Sequence, residues 1–347
     1  MNDKICLKSL HPNELAQLLG ELGQPAYRAK QVFKWLALGV ESFDEMTDLP
    51  KSLREALGAR CFLSKPDIAV KKCSQLDETI KYLFELADGN RVETVLMQYE
   101  HGTSICLSTQ AGCKMGCVFC ASFEKGQTRN LTPAEILDQI LYAQKDSGRH
   151  VSNIVLMGTG EPLDNYDNVM TFLRLVTHPD GLNIGMRHIS LSTCGLVPRI
   201  YELAKLKLQL TLSVSLHAPY DELRDRLMPV NKAYPVSKLM EACRTYFEAT
   251  RRRISFEYAM IDGVNDTKRC AEELIHLLAG TPCHVNLIPL NHINGSPLKP
   301  SSRDTIKRFQ GALTARGINT TVRRSLGSDI DASCGQLRRS LAEEQGE

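Results

Sequence analysis

The chain predicts an α/β protein built on a partial (βα)6, TIM-like barrel with a small N-terminal helical module. Apolar, β-branched runs recur at 151–157, 188–193, 209–218, 254–261, 284–290 and 319–324, with helical patterns between them, which is the alternation of βα units and a parallel sheet. Six strands are fewer than the eight of a closed barrel, so an open partial barrel and a doubly wound sheet both fit, and the count favours the partial barrel. At 347 residues the chain exceeds one ordinary domain, leaving room for a barrel of roughly 230 residues and a smaller unit.

Residues 1–88 differ in texture from the remainder of the chain. They carry short helical patterns at 14–22 and 28–38, then a basic stretch from Lys51 to Lys72 with six Lys or Arg against Glu55 and Asp67. The barrel is expected over 89–328, with 329–347 as a C-terminal segment. Helix 133–147 is the best-marked element: Thr132 caps it, Pro133 suits the first helical position, Glu135 completes a capping box, and Ile136, Leu137, Ile140 and Leu141 share one face. A second basic stretch, Arg303 to Arg324, has six basic residues against Asp304. Charge alone does not separate a solvated surface from an RNA contact in either stretch. In either architecture functional residues gather at the carboxyl ends of the strands.

A formal charge of +2 does not announce a nucleic-acid protein, although it leaves local basic faces open. There is no N-terminal apolar signal and no long apolar run, which argues against secretion and membrane insertion and for a cytoplasmic protein. Its twelve cysteines are then expected as thiols, which raises metal and catalytic uses over a disulfide framework. No dimer-forming apolar stripe is evident, so a monomer is expected.

The most informative residues are Cys113, Cys117 and Cys120, spaced C-x3-C-x2-C. Three thiolates in one tight loop suit a 4Fe-4S cluster whose fourth iron is left open for a small molecule such as S-adenosylmethionine. A zinc knuckle would call for a second C-x2-C unit or matching histidines, and none lies near. After the strand at 151–157 comes Gly158-Thr159-Gly160-Glu161-Pro162, a turn in which ligand can approach backbone and Glu161 can accept from an ammonium. A dinucleotide fingerprint fails there, because Leu163 occupies the place of its third glycine.

Together the loop and the glycine turn resemble the radical S-adenosylmethionine superfamily. Six ordered segments narrow the likeness: 24–35 (QPAYRAKQVFKW), 91–95 (RVETV), 106–120, 158–163, 213–219 (SVSLHAP) and 329–337 (DIDASCGQL) all resemble the RlmN/Cfr adenine methyltransferases. Glu161-Pro162, and Ser333 in place of a second cysteine before Cys334, are similar to the RlmN branch, which methylates adenine C2, whereas the Cfr branch targets C8.

The resemblance implies a barrel of the radical S-adenosylmethionine type. It also implies a cycle using two S-adenosyl-L-methionine molecules, with a reduced cluster served by a donor such as flavodoxin or ferredoxin, and 23S rRNA and tRNA as substrates. Cys334 would be methylated, a 5′-deoxyadenosyl radical would take hydrogen from the S-methyl group, the methylene radical would add to C2, and Cys106 would release product by forming a disulfide. Glu93 would accept the C2 proton. Gly160, Glu161, Ser192, Ser215, Leu216, His217 and Asn291 match the family's cofactor-binding positions. Without the resemblance Cys334 would count as incidental and Glu93 as a solvent-facing strand residue. Cys6, Cys61, Cys73, Cys194, Cys243, Cys270 and Cys283 are read as small buried or neutral positions. The rival class is a zinc-stabilised RNA-binding protein without radical chemistry.

Overall fold

The computed structural model describes residues 4–120, 122, 127–291 and 297–332. The N-terminal module comprises β1 (Ile5–Cys6), α1 (Pro12–Glu21), α2 (Tyr27–Ala37), α3 (Lys51–Arg60) and β2 (Cys61–Phe62), with β1 and β2 paired in parallel. Its helices close over a core of their own that includes Leu15, Leu19, Val32, Leu53 and Leu57, joined by Leu175 of the barrel. The cap of α1 is His11, whose ring accepts from Asn13 while Glu14 reaches back to its amide. Histidine is not a usual cap, which is why the pattern alone starts this helix late.

Two hairpins come next, β3 (Asp67–Cys73), β4 (Ile80–Glu85), β5 (Arg91–Tyr99) and β6 (Gly102–Cys106), and then the short pair β7 (Gln110–Ala111) and β8 (Arg129–Asn130). Alternation begins at α4 (Pro133–Ser147) and runs through β9 (Val151–Leu156), α5 (Tyr166–Val176), β10 (Ile189–Thr193), α6 (Val197–Lys205) and β11 (Thr211–Ser215). It continues through α7 (Asp221–Leu227), α8 (Val236–Thr250), β12 (Ile254–Met260), α9 (Lys268–Leu278), β13 (Cys283–Pro289), α10 (Arg303–Thr314) and β14 (Asn319–Val322).

One ten-stranded sheet, ordered β14-β13-β12-β11-β10-β9-β6-β5-β4-β3, spans the molecule. From β6 to β14 all neighbours are parallel, and from β3 to β6 all are antiparallel. Among the described residues the two edge strands do not pair with each other, so the parallel part is an open partial barrel. All six expected strands are present. Gly102–Cys106 precedes them as the first parallel strand, and α4 has its expected bounds and capping box. β11 stops at Ser215, short of the expected 218, because His217 turns to φ 56 and leaves the ladder. The basic stretch 51–72 resolves into α3 and most of β3, an edge strand whose side chains are largely exposed. Strands β3 and β4 therefore extend the barrel sheet although they precede Gly89.

A buried ion pair fastens module to barrel. Lys8 Nζ lies 2.8 Å from Asp138 of α4 and also donates to the Ser64 carbonyl at 2.7 Å, with both charged side chains fully enclosed. Ser64 Oγ bonds the other Asp138 oxygen. Among the described residues no helix is long and apolar enough to cross a membrane.

Candidate active site

The carboxyl ends of the parallel strands open into a cavity of about 170 Å³. Cys113, Cys117 and Cys120 form one wall, on the loop that follows β6 and β7. Gly112 at φ 85 and Gly116 at φ 74 supply backbone angles that a side chain would resist, which lets nine residues fold into a tight turn. The Cys120 amide bonds the Cys117 carbonyl at 3.1 Å, and the Val118 amide bonds Leu227 O of α7 at 3.1 Å, anchoring the loop to the barrel. Burial raises the thiol pKa of Cys113 to about 11 and pushes that of Cys117 higher still. Sulfur groups so buried call for a ligated metal to be held as thiolates. Among the described residues no three His, Cys, Asp or Glu side chains converge on a single-ion site. A cubane asks for no such convergence, since each thiolate ligates its own iron. The three cysteines on one cavity wall, with open space before them, fit a cluster.

Opposite the loop, the turn after β9 is held close to the sheet. A Cβ on Gly158 would lie 2.6 Å from Leu107 O, and one on Gly160 (φ +110) would lie 2.7 Å from Gln110 Cβ, so neither position accepts a side chain. The Glu161 carboxylate is buried. It accepts from the Leu163 amide at 3.0 Å and the Cys194 amide at 2.7 Å, while its own amide bonds Gln110 Oε1 at 2.9 Å. Burial raises its pKa and these amides work against the shift. Glu161 lines the cavity while its carboxylate is held by these amides.

Ser192, Ser215, His217 and Asn291 reach the same cavity from β10, β11 and the ends that follow β11 and β13. His217 Nδ1 accepts from the Ala259 amide at 2.8 Å, which leaves its proton on Nε2, and its carbonyl accepts from Asn265 Nδ2 at 2.8 Å. Burial, and secondarily the charge of Arg224, lowers its pKa to about 3, so the ring is neutral. Leu216 differs from its neighbours: its side chain is buried in the barrel core and does not line the cavity. Its carbonyl is one of four acceptors of the buried Arg224 guanidinium, at 3.1 Å, with Asn231 Oδ1 at 3.0, Cys194 O at 2.7 and Ser215 O at 3.0 Å. That arginine ties the ends of β10 and β11 together.

Cys106 lies in an adjoining smaller cavity, which shares Met157, Ile288, Pro289, Asn291 and Arg323 with the first. It packs in an apolar cluster with Val95, Met97 and Ala332. Glu93 lies two residues before Val95 on β5, on the same face by strand alternation. The residue is buried rather than solvent-facing, with Oε1 3.1 Å from Lys81 Nζ. Cys334 lies outside the described residues.

Several cavity residues carried no usable sequence signal. Glu257 is buried on the wall, with Oε1 accepting from Ser255 at 3.0 Å and Oε2 from Asn286 at 2.7 Å. A lone glutamate within the apolar strand 254–260 was its only trace. Cys194 is buried, in line with its sequence reading, but lines the cavity, and Cys73, read as buried or neutral, is exposed on the edge strand.

Comparison with known proteins agrees with this geometry. Residues 107–278 match the radical SAM superfamily, and residues 5–63 match the ribosomal RNA large subunit methyltransferase N-terminal domain. The chain is 54% identical to a probable dual-specificity RNA methyltransferase RlmN of Pelotomaculum thermopropionicum, covering 99% of this chain and 94% of that protein. It is 52% identical to another of Alkaliphilus oremlandii, over 97% and 98%. A radical SAM methyltransferase from Sphaerobacter thermophilus superposes with a TM-score of 0.92 at 47% identity, covering 96% of this chain and 99% of that one. The cysteine loop, the glycine turn and the second, cysteine-bearing cavity thus sit in a chain that belongs to the RlmN family of radical S-adenosylmethionine RNA methyltransferases.

Proposed function

We propose that this enzyme methylates C2 of adenosine in 23S rRNA and in some tRNAs, with Cys334 as methyl carrier, Cys106 as resolving thiol and Glu93 as base. The observation that carries the reading is the packing of Ala332 with Cys106 in one small cluster beside the cysteine-loop cavity. In the sequence only Ser333 stands between Ala332 and Cys334, and two residue steps of chain reach about 7 Å at most.

Cys113, Cys117 and Cys120 would hold the 4Fe-4S cluster, and Gly160, Glu161, Ser192, Ser215, His217 and Asn291 would surround S-adenosylmethionine, with Leu216 contributing through its backbone. When bound, that pair of groups supplies a radical able to abstract hydrogen from a methyl group. The chain's own residues do the rest. The Cys334 thiolate accepts a methyl group, which requires a first S-adenosylmethionine apart from the one cleaved, hence two per cycle. Once the methylene carbon is joined to C2, the one unpaired electron left on the ring would return to the oxidised cluster, and Glu93 would take the C2 proton. The Cys106 thiolate then attacks Cys334 Sγ: the S–S bond forms, the S–C bond breaks, and the carbon keeps the electron pair and gains a proton as the product methyl. The target base must leave its stack to reach this cavity, and the helical module with the basic stretches would grip the RNA backbone. The reaction would run in the cytoplasm in a monomer, with a flavodoxin- or ferredoxin-type protein as electron donor.

Anaerobic turnover of cluster-reconstituted protein with S-adenosylmethionine, a reductant and rRNA or tRNA fragments, read by nucleoside mass spectrometry, tests this. 2-Methyladenosine is the expected product. 8-Methyladenosine would place the chemistry at C8, and no methylated base from a reducible, cluster-loaded enzyme would overturn the proposal. Cys106→Ala should retain RNA covalently on Cys334.

A further inference from the structure

The segment DIDASCGQL carries Cys334, yet its two aspartates have no part in the chemistry. They face a structure of their own. The turn between β3 and β4 is internally rigid: the Ser74 amide bonds Thr79 O at 2.8 Å, Ser74 Oγ accepts from the Leu76 amide at 3.0 Å, and Asp77 Oδ1 accepts from the Thr79 amide at 3.2 Å. The turn and the start of β4 together bond the C-terminal segment at every second residue. The Gly327 amide donates to Asp77 Oδ2 at 2.8 Å. Asp329 Oδ1 accepts from Ser74 Oγ at 2.7 Å and its Oδ2 from the Gln75 amide at 2.8 Å. The Asp331 carbonyl accepts from Lys81 Nζ at 3.1 Å.

Gly327 is required at the root of this contact. Its φ is +61, and a Cβ there would lie 2.6 Å from Ala332 Cβ and 3.0 Å from Thr79 Cγ2. The segment then folds back on itself, with the Ala332 amide on Gly327 O at 3.0 Å, which delivers Ala332 to the cluster containing Cys106. The same Lys81 ammonium lies 3.1 Å from Glu93 Oε1, with both side chains 3% exposed or less. One cation therefore touches both the segment leading to Cys334 and the residue read as the base.

We propose that the β3–β4 hairpin is a clamp that seats residues 327–332, the stretch leading to Cys334, beside Cys106, with Asp77, Asp329, Gly327 and Lys81 as positioning residues and Lys81 setting the clamp in register with Glu93. The clamp rests on the assignment of Cys334 as carrier. It gives a role to the antiparallel hairpin that extends the sheet beyond β5, the strand paired with the Cys106-bearing β6. The hairpin is a fixed surface, ordered by its own hydrogen bonds, on which the segment can be seated.

The test reads the proximity of Cys334 to Cys106 apart from turnover. The full-length protein is equilibrated with glutathione redox buffers, and the Cys106–Cys334 disulfide is quantified by peptide mass spectrometry. In Asp329→Ala, which deletes two charge-assisted hydrogen bonds, the equilibrium constant for that disulfide should fall about 10-fold or more. Iron content and melting temperature should stay near the parent's. Ser74→Ala with Asp77→Asn, altered only on the hairpin side, should give the same loss, which covers the case in which Asp329→Ala fails to fold. Lys81→Met should lower both this constant and the yield of methylated adenosine per S-adenosylmethionine cleaved. An unchanged disulfide equilibrium in the folded variants overturns the clamp. A parent enzyme that makes no methyladenosine, with the disulfide equilibrium still falling in the variants, would sink the reading of function and leave the hairpin only as a seat that brings the Cys334 segment to Cys106.

Discussion

Phe119 of the cysteine loop meets His217 edge-on, ring centroids 4.5 Å apart and planes inclined at 64°. The contact links the loop that carries Cys113, Cys117 and Cys120 to the residue at which β11 leaves the sheet. His217 is suited to it because its buried ring stays neutral, with Nδ1 spent on the Ala259 amide.

That neutrality has a pH signature. The pKa of His217 is lowered from 6.5 to about 3, so on acidification the unfolded chain takes up the proton before the folded one. Its contribution to stability is thus complete above about pH 6.5 and is lost progressively as the pH falls toward 3. In urea-unfolding series over this window, His217→Asn should flatten the slope by up to one proton, about 1.4 kcal/mol per pH unit. An identical slope in the variant would refute the account.

Gly158 and Gly311 should respond in opposite directions to alanine. At Gly158 the new Cβ meets the Leu107–Ser108 peptide group, 2.6 Å from Leu107 O and 2.7 Å from Ser108 N, backbone that cannot yield. Gly158→Ala should cost about 1–3 kcal/mol of stability and weaken cofactor binding, seen in calorimetry and a binding isotherm. Gly311 lies within α10 with nothing within 4 Å of its Cβ position, so Gly311→Ala should be stabilising by about 0.4–1 kcal/mol.

The proposed cluster ligands Cys113, Cys117 and Cys120 are separable from the other cysteine on the cavity wall. Cys117→Ala should abolish bound iron and sulfide and all S-adenosylmethionine cleavage while leaving the far-ultraviolet dichroism unchanged. Cys194 lines the same cavity but holds Glu161 through its backbone amide, which a side-chain change spares. Cys194→Ala should therefore keep the iron of the parent protein. Loss of iron in that variant would place Cys194 among the ligands.

Lys8 and Asp138 should behave as a unit. Burial pushes the Asp138 pKa up to about 6 in spite of the ammonium 2.8 Å away, so desolvation outweighs the pairing. An acid with a raised folded pKa weakens the fold as pH rises from about 4 through 6. Lys8→Met would leave the carboxylate without its cation and should cost about 3–5 kcal/mol, detected as easier unfolding and proteolysis of the module at neutral pH. The double variant Lys8→Met with Asp138→Leu should recover much of that loss. A single variant as stable as the parent would show that the pair contributes nothing to docking.

Local pattern by itself determined the barrel repeat, the bounds of α4, the three-cysteine loop and the glycine turn, because each is written within a few residues. Strand alternation, a capping box and a C-x3-C-x2-C loop need no distant partner to be recognised. Tertiary structure alone decided what depends on residues far apart in the chain. It turned Leu216 into the core and Cys194 onto the cavity wall, buried Glu93 against Lys81, and built β3 into a sheet that its basic composition did not announce. It also brought Asp329 to Ser74 and Ala332 to Cys106. The physical reason is that burial and pairing are properties of the assembled sheet: a charged residue on an edge strand and one beneath a hairpin look alike until the strands that cover them are in place.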